Sequence, residues 1–387
     1  MFQQTCIAPV NIAVIKYWGK RDEELILPIN DSLSMTLSTD QMCAKTTASA
    51  SSNFKENVMW LNGEKVAFDE NPRSARCLKE IKRIASAKGQ PKFPLNLKLH
   101  ICSENNFPTA AGLASSAAGY ACLVYTLACL YGVEDEELTQ IARQGSGSAC
   151  RSLDGGFVHW KKGDNPNGSD SLAHQVISPS SWSNMRVLIL VVNDSKKKTS
   201  STKGMRLCVE TSELINHRAE KIVPQRIENI TKAIKTKNFT DFAEITMKDS
   251  NQFHAIALDT FPPCIYMNDV SHSIAEFVHR YNELAGETKV AYTFDAGPNA
   301  CLYLEEENVA GVVAGLKLAF PNDNAGNVEY VKGIPINGQS YEAYKFKSNG
   351  SNLLKYIIHT KIGEGPKRLE ECEGLLNEAG EPKKLIQ

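Results

Sequence analysis

The chain has 387 residues, a length typical of two domains rather than one. Its 43 Lys and Arg residues nearly balance 44 Asp and Glu residues, which gives a formal net charge of −1 at pH 7. A chain so close to neutrality has no electrostatic basis for binding nucleic acid or an anionic membrane. Any anionic ligand must therefore be held by local charges, and we expect neither a nucleic-acid partner nor a membrane partner.

The eleven cysteines are scattered along the chain, and no two are spaced C-x-x-C. An odd number without paired spacing is typical of reduced thiols, not of a disulfide framework or a zinc site. None of the eight histidines has a second histidine at metal-ligand spacing. The N-terminal residues lack the features of a secretory signal, and no apolar run reaches the length of a membrane span. These features predict a cytoplasmic protein.

Strands dominate the predicted secondary structure of the first half. Dense β-branched residues predict a strand over residues 6–17. Strict alternation predicts a strand over 32–38, with apolar residues on one face and hydroxyl residues on the other. Three more elements are a strand that ends in an Asn-Gly turn, a helix with an apolar stripe and an alternating strand, at residues 58–63, 72–89 and 95–101.

From residue 120 onward the predicted elements are mixed, and helices dominate the third quarter of the chain. An apolar helix is predicted over residues 120–131, and the acidic residues 134–137 predict the start of a short helix. A wholly apolar centre predicts a strand buried on both faces over 186–192. The remaining predictions are a turn and strand, a helical region interrupted at Pro224 and near Asn238, a strand–turn–strand unit and a late strand, at residues 154–160, 202–259, 291–303 and 355–362.

This order of elements predicts an α+β protein with two domains. No βαβ alternation repeats along the chain, and strands and helices are segregated into different regions. We place the first domain at residues 1–183 and the second at residues 184–387, with the last residues packing back on the first domain.

The stretch from Asn106 to Gly119 is the most unusual in composition, because almost every side chain in it is small. An apolar helix follows at once. Small residues before a helix allow a phosphate to approach the main-chain N–H groups, where the helix dipole favours negative charge. The stretch matches neither a Walker loop nor a GxGxxG fingerprint. It predicts an anion-binding loop, although a small-residue helix packed tightly against a sheet has the same composition.

Three further segments combine charged or hydroxyl residues with glycine, at residues 16–21, 145–151 and 294–299. The first offers lysine and tyrosine donors for a phosphate, and the second offers helix-start N–H groups and an arginine. The third places Asp295 before a Gly-Pro turn. Each segment also has a plain structural interpretation, as a solvated strand end, a capped helix start or a turn. His254, in the helical region, is predicted to be structural.

Taken together, these segments resemble the mevalonate diphosphate decarboxylase family, within the superfamily of galactokinase, homoserine kinase, mevalonate kinase and phosphomevalonate kinase (GHMP kinases). The lysine-rich and arginine-containing segments are specific to the decarboxylases, whereas the small-residue loop indicates only the superfamily. The matching stretches occur in the family's order, and they are Ala8-Pro-Val-Asn-Ile-Ala, Lys16-Tyr-Trp-Gly-Lys, Pro108-Thr-Ala-Ala-Gly-Leu-Ala-Ser-Ser, Gly145-Ser-Gly-Ser-Ala-Cys-Arg and Phe294-Asp-Ala-Gly-Pro-Asn-Ala.

The resemblance implies an ATP-dependent decarboxylation of (R)-5-diphosphomevalonate to isopentenyl diphosphate, with release of ADP, phosphate and CO₂. The tertiary 3-hydroxyl group would be phosphorylated first, and loss of phosphate and CO₂ would then form the double bond. This reaction supplies the precursor of isoprenoids and sterols in the mevalonate pathway. ATP is the implied co-substrate and Mg²⁺ the implied metal, whose ligands the sequence does not assign.

The resemblance also implies roles for individual residues. Asp295 matches the family's base, Lys16 matches a lysine near the reacting groups, and Arg151 matches the residue that holds the C1 carboxylate, supported by Asn11 and Ser148. The other matched positions bind substrate, at Tyr17, Trp18, Gly19, Lys20, Arg73, Ser146, Gly147, Ala149, Cys150, Ser201 and Thr202, or the ATP phosphates, at Ala110, Ala111, Gly112, Leu113, Ala114, Ser115 and Ser116.

The implied fold is a two-domain GHMP-kinase-like α+β fold. It would consist of an N-terminal domain like domain 2 of ribosomal protein S5 and a C-terminal α/β-sandwich of ferredoxin-like type, and the family further implies a homodimer. Two alternatives remain open at this point. One is a small-molecule kinase of the same superfamily that stops at the phosphorylated product. The other is a non-catalytic module that binds RNA, which the net charge argues against.

Overall fold

The computed structural model of the chain describes residues 1–89, 91–107, 115–133, 137–192, 198–323, 329–336 and 343–383. Its strands are β1 (Phe2–Pro9), β2 (Asn11–Ile15), β3 (Lys20–Asp22), β4 (Leu27–Pro28), β5 (Ser32–Thr36), β6 (Cys43–Ser51), β7 (Val58–Leu61), β8 (Glu64–Val66), β9 (Lys98–Asn105), β10 (Phe157–Trp160), β11 (Ala173–Ile177), β12 (Met185–Val191), β13 (Val290–Phe294), β14 (Ala300–Glu305), β15 (Val331–Gly333), β16 (Tyr356–Lys361) and β17 (Lys367–Arg368). Its α-helices are α1 (Pro72–Ala87), α2 (Ser115–Tyr131), α3 (Leu138–Gly145), α4 (Ser201–Thr211), α5 (Leu214–His217), α6 (Val223–Thr236), α7 (Phe239–Asp259), α8 (Asp269–Ala285) and α9 (Val309–Ala319).

The strands form three main sheets. The first has the order β17-β1-β6-β9-β7-β8, the second β11-β10-β5-β2, and the third β13-β14-β12-β16-β15. Most neighbouring strands are antiparallel, but β7 pairs with β9 and β15 pairs with β16 in parallel. Helix α2 packs against β1 and β6, and α7 packs against β13 and β2. The protein is therefore a mixed α and β structure with helices packed on its sheets.

The predicted strand over residues 6–17 is two strands, because the chain changes sheets at Val10. Strand β1 pairs with β6 in the first sheet, whereas β2 pairs with β5 in the second. Between them, the carbonyl of Val10 accepts a hydrogen bond from the N–H of Leu37 at 2.9 Å. Periodicity could not locate this break, since both strands are fully buried near it and share the same apolar composition.

The predicted alternation over residues 32–38 is present in β5, but its polar face is buried as well. Every residue of β5 is buried. Its hydroxyl groups face polar partners from a distant segment, a 3₁₀-helix at Gly147–Leu153, instead of solvent. That segment was expected to begin an α-helix, and the structure instead gives one turn-like 3₁₀ element that follows α3 directly.

Two other local predictions are confirmed, and a third is wrong. The Asn62–Gly63 turn joins β7 to β8, and both residues have positive φ angles of 51° and 86°, as a two-residue hairpin turn requires. Strand β12 is buried along its whole length. At Pro224 the helical region is not broken, because a π-helical turn at Arg218–Ile222 leads directly into α6. Residues 134–136, where a helix start was predicted, lie outside the described residues.

An aromatic cluster joins the first half of the chain to the second. The ring of Phe242, on α7, lies edge-on to Phe157, Trp182 and Tyr303 at centroid distances of 5.7, 5.6 and 5.5 Å. All four side chains are essentially buried. The hydroxyl of Tyr303 on β14 also donates to the carbonyl of Ile12 on β2 at 3.1 Å. This cluster fixes α7 against both halves of the molecule.

We expect Phe242→Ala to destabilise the protein by about 3–5 kcal/mol, because truncation of a buried ring leaves a cavity among aromatic neighbours. Urea unfolding followed by tryptophan fluorescence measures the change, since Trp182 contacts the deleted ring. Leu318, on the exposed surface of α9, provides the control, and Leu318→Ala should change stability by no more than about 0.5 kcal/mol. Equal midpoints for the two variants would contradict the assignment of Phe242 to the core.

Candidate active site

The centre of the candidate site is an ion pair between two residues far apart in the sequence. Lys16 follows the end of β2, and Asp295 follows the end of β13. The Nζ atom of Lys16 lies 2.5 Å from Oδ1 of Asp295. The lysine side chain is buried, whereas the aspartate side chain retains 29% of its exposure. The carboxylate is therefore held by a buried cation and is still accessible to a ligand.

Arg151 is a second buried cation beside this pair. Its guanidinium donates from Nη1 to Ser32 Oγ at 2.6 Å and from Nε to Ser34 Oγ at 3.0 Å, and it is 2% exposed. Among the described residues, no carboxylate forms an ion pair with it. Burial lowers the pKa of Arg151, and the charge of nearby Asp295 partly opposes that effect. A buried guanidinium with only neutral partners can bind an anionic group from a ligand.

Ser32 and Ser34 are site residues that the sequence analysis missed. They lie on the hydroxyl face of β5, which alternation alone assigns to solvent as readily as to a site. The signal that could have identified them is the row of hydroxyl residues on one face of β5, at Ser32, Ser34 and Thr36. Asn11, which the resemblance did include, connects β2 to the segment that carries Arg151. Its amide donates to the carbonyl of Ser148 at 3.0 Å and to Ser152 Oγ at 2.7 Å, while its oxygen accepts from Arg151 Nε at 3.3 Å.

Tyr17 and Gly147 form one wall of the site. The Tyr17 ring lies 4.7 Å from the ring of Trp160, and a Cβ atom added to Gly147 would be 2.7–2.9 Å from the Tyr17 ring and hydroxyl. The Tyr17 hydroxyl is buried without a hydrogen-bond partner in the described structure. Burial raises the pKa of Tyr17, and the nearby charges of Arg151 and Arg73 act in the opposite direction. This hydroxyl is a donor at neutral pH.

The rest of the segment after β2 is held by tight packing. The Nζ atom of the buried Lys20 lies 2.5 Å from Glu23 Oε2, an exposed partner that an anionic ligand could replace. Gly19 has a φ angle of 94°, and a Cβ atom there would be 2.6 Å from Ile29 Cδ1. Trp18 packs in a second hydrophobic cluster, where its indole N–H donates to Cys208 Sγ at 3.0 Å. The Trp18 side chain thus contacts α4 and its neighbours.

The segment after α3 links the site to the start of α2. Ser146 Oγ lies 3.4 Å from Ser116 Oγ, in the first turn of α2. Ala149 is buried in the main core, and the thiol of Cys150 donates to the carbonyl of Gly147 at 3.1 Å. Burial raises the pKa of Cys150 to about 12, so the thiol stays protonated. The backbone of this segment faces the site while its apolar side chains anchor it.

The predicted phosphate-binding loop is only partly within the described chain. Ser115 and Ser116 begin α2, a helix of 17 residues with no acidic residue in its first turn. Free N–H groups at such a helix start favour an anion. The predicted residues Ala110, Ala111, Gly112, Leu113 and Ala114 lie outside the described residues.

Arg73, Ser201 and Thr202 lie at two other helix starts. Arg73 is the second residue of α1, and it lines an open cavity together with Asn71 and Tyr120. Ser201 and Thr202 begin α4, whose N-cap residue Ser200 accepts from the N–H of Lys203 at 3.2 Å. Helix α4 contacts β3, the strand that begins with Lys20.

Neither a cluster of metal ligands nor a membrane-spanning helix is found within the described ranges. No cluster of three His, Cys, Asp or Glu side chains there could hold a metal ion by itself. No helix there combines the length and apolar content that a membrane crossing requires.

Comparisons with known proteins agree with this geometry. Residues 8–173 match the model of the diphosphomevalonate decarboxylase-like N-terminal domain, and residues 187–369 match that of the mevalonate 5-diphosphate decarboxylase C-terminal domain. The chain is 52% identical to the human diphosphomevalonate decarboxylase over 391 residues, covering 98% of this chain and 97% of the relative.

Solved structures of this family superpose over nearly the whole chain. The mevalonate diphosphate decarboxylase of Trypanosoma brucei matches with a TM-score of 0.90 at 36% identity, covering 97% of this chain and 100% of that one. A complex of MDDEF with MVAPP, AMPPCP and magnesium matches with a TM-score of 0.75 at 30% identity, covering 95% and 99%. The chain therefore belongs to the diphosphomevalonate decarboxylases, carboxy-lyases of the mevalonate pathway within the GHMP kinase family.

Proposed function

We propose that the chain decarboxylates (R)-5-diphosphomevalonate with ATP, producing isopentenyl diphosphate, ADP, phosphate and CO₂. One observation carries the assignment of the site. Arg151 is a buried cation without a described carboxylate partner, and Asp295 beside it is the half-exposed acceptor of a buried lysine. A substrate that contributes its own carboxylate and a hydroxyl group suits both residues at once.

The first chemical step is phosphoryl transfer to the tertiary hydroxyl group. Asp295 orients this hydroxyl and accepts its proton as the oxygen bonds to the γ-phosphorus of ATP, and ADP leaves with the electrons of the broken P–O bond. Lys16 holds the Asp295 carboxylate in place through the 2.5 Å contact. Its positive charge also stabilises negative charge that develops on the transferred phosphoryl group.

The second step is the loss of phosphate and CO₂. The C3–O bond breaks, phosphate leaves with its electron pair, and C3 becomes electron-poor. Electrons of the C1–C2 bond then form the C2–C3 double bond, and C1 departs as CO₂. Arg151 holds the carboxylate until this bond breaks, and the neutral hydroxyls of Ser32 and Ser34 fix the guanidinium without neutralising it.

We assign the binding of the substrate diphosphate to four residues, Tyr17, Lys20, Arg73 and Ser146. The unpartnered hydroxyl of Tyr17 and the ammonium of Lys20 are donors that suit phosphate oxygens. Lys20 would exchange its exposed partner Glu23 for the ligand. Ser201 and Thr202, at the start of α4, are assigned to the loop that closes over substrate and nucleotide.

The start of α2 is the proposed site for the ATP phosphates, with Ser115 and Ser116 beside them. Their hydroxyl groups fit a magnesium ion that takes most of its ligands from phosphates and water, as Mg²⁺ commonly does. When bound, the ion would neutralise charge on the β- and γ-phosphates.

The finer description of the molecule is also a proposal. We assign residues 1–183 to a domain like domain 2 of ribosomal protein S5 and residues 184–387 to a ferredoxin-like α/β-sandwich. The pairing of β17 with β1 supports a return of the last residues to the first of these domains. We further propose that the protein is cytoplasmic, in line with eleven cysteines that are all free. We also propose that it forms a homodimer, as the family resemblance implies.

Incubation of the protein with Mg²⁺, ATP and mevalonate diphosphate labelled at its carboxyl carbon tests the reaction. We expect one labelled CO₂ and one ADP for each substrate consumed, because phosphoryl transfer and carbon–carbon cleavage occur in one site. Omission of ATP should abolish both products. Release of ADP without labelled CO₂ would show a kinase that stops at the phosphorylated intermediate.

Asp295→Asn should lower kcat by about 10²–10⁴-fold, the usual contribution of a general base, with little change in KM. Steady-state kinetics of CO₂ release give both constants. Asp241→Asn, which changes a carboxylate in the first turn of α7, is the control and should leave kcat unchanged. Near-normal turnover by the Asp295 variant would refute the assignment of the base.

Arg151→Gln should raise KM for mevalonate diphosphate by roughly 10- to 100-fold, because a hydrogen bond to a charged group contributes about 1.5–3 kcal/mol. KM for ATP should change little. Arg143→Gln is a matched control, since Arg143 is an equally buried arginine whose hydrogen bonds within the described residues go to the carbonyls of Gly168 and Ser171. A rise in KM for ATP alone would show that Arg151 does not hold the substrate carboxylate.

Gly147→Ala should weaken substrate binding, because the added methyl group would displace the Tyr17 ring from its place against Trp160. We expect KM for mevalonate diphosphate to rise while the thermal midpoint changes little. Gly119→Ala in α2 is the control, since a Cβ atom there meets nothing within 4 Å. If both variants bind substrate equally well, Tyr17 is not part of the diphosphate site.

A further inference from the structure

The backbone N–H and carbonyl of Lys16 are both held by buried groups that the proposed reaction does not use. Its N–H donates to Asp249 Oδ2 at 2.8 Å, and its carbonyl accepts from Arg218 Nη2 at 3.3 Å and from Asn30 Nδ2 at 3.1 Å. Asp249 and Arg218 are 0% and 1% exposed. The backbone of Lys16 is thus fixed by groups more than 200 residues away in the sequence.

Asp249 is itself held as an anion. Its carboxylate receives Arg218 through two contacts of 2.8 and 3.0 Å and Arg226 through one of 2.9 Å. Burial acts to raise the pKa of Asp249, but the charge and hydrogen bonds of Arg218, with smaller contributions from Lys16 and Arg226, lower it below its ordinary value. An ionised, doubly paired carboxylate is a stiff acceptor for the Lys16 N–H.

The next residue of α7, Ser250, holds the backbone segment that leads to Asp295, the other member of the ion pair. Ser250 Oγ accepts from the backbone N–H of Phe294 at 2.9 Å, and both residues are fully buried. Asp295 directly follows Phe294 in the chain. Adjacent positions in the middle of α7 therefore hold the two backbone segments from which Lys16 and Asp295 extend.

One turn further along α7, His254 fills the space beside both segments without adding a charge. Its ring lies edge-on to Phe294 at 6.2 Å, and the residue is 8% exposed. Burial, followed by the charge of Lys16, lowers the pKa of His254 to about 4. The ring is neutral at physiological pH and does not compete with Lys16 for the Asp295 carboxylate.

We propose that Asp249 and Ser250 are positioning residues that set the separation of Lys16 and Asp295 through the backbone. The inference rests on the proposed function for its catalytic consequence. Helix α7 is a rigid reference because Phe242, about two turns earlier, is packed in the aromatic cluster. Loss of either acceptor leaves the side chains of the ion pair intact but allows their backbone segments to shift.

The most direct test is Ser250→Ala, since Asp249→Asn would also leave Arg218 buried without its full counter-charge. We expect kcat to fall by about 10- to 100-fold, the effect of a displacement near 1 Å in an active site, while KM for both substrates stays nearly unchanged. Ser250→Thr, which restores an acceptor hydroxyl, should recover most of the loss.

Thr246→Val is the matched control. It deletes another fully buried hydroxyl one turn earlier on α7, and that hydroxyl has no hydrogen-bond partner in the described structure. We expect normal kcat from this variant. Equal losses in the Thr246 and Ser250 variants, or full activity of Ser250→Ala, would overturn the positioning role.

Amide hydrogen exchange provides a measurement that does not depend on activity. We expect faster exchange at Phe294 in Ser250→Ala than in the unmodified protein, and no change there in Thr246→Val. If the unmodified protein releases no CO₂, the proposed function fails, but faster exchange at Phe294 still supports the positioning role. Unchanged exchange at Phe294 in Ser250→Ala would refute that role even in a fully active enzyme.

Discussion

The ion pair between Lys16 and Asp295 is the interaction on which the site depends. It joins the end of β2 to the end of β13 and lies next to a second buried cation, Arg151. One carboxylate among these cations leaves a local excess of positive charge. Buried charge is expensive unless it is compensated, so the site is poised for a ligand that brings anionic groups with it. The near-neutral charge of the whole chain has no bearing on this local field.

The guanidinium of Arg151 is oriented by neutral hydroxyl groups and not by a carboxylate. In the proposed mechanism, an acidic residue paired with Arg151 would hold the guanidinium firmly, but it would also compete with the carboxylate of the substrate. Ser32 and Ser34 orient the same group and leave its charge available. Asp249 shows the contrasting case, in which a carboxylate is paired with two arginines and also accepts from the backbone N–H of Lys16.

Local sequence patterns predicted the secondary-structure elements better than they predicted which elements pack or pair with one another. The hairpin turn at Asn62 and the buried strand β12 follow from a few neighbouring residues, and the structure has both. The break at Val10 and the buried hydroxyl face of β5 depend on which sheet each strand joins, which periodicity does not encode. The family resemblance located Lys16 and Asp295, but their contact depends on a fold that brings together segments 279 positions apart.

The same limit applies to the residues around the site. Ser250 looks like any polar residue in an amphipathic helix, and its role is visible only when Phe294 lies against it. Interactions between a side chain and a distant backbone N–H leave no compositional signal, because any acceptor of suitable size would satisfy the same donor.

The pairing of β17 with β1 has a consequence for the order in which the molecule can be assembled. Cys6 lies opposite Arg368 and Ile7 opposite Lys367, so the edge of the first sheet is completed by residues synthesised long after β1. Until they emerge from the ribosome, β1 presents an unpaired edge to the cell, where exposed strand edges invite association with other chains. The edge of β1 therefore stays open to such association until β17 has been synthesised and has paired with it.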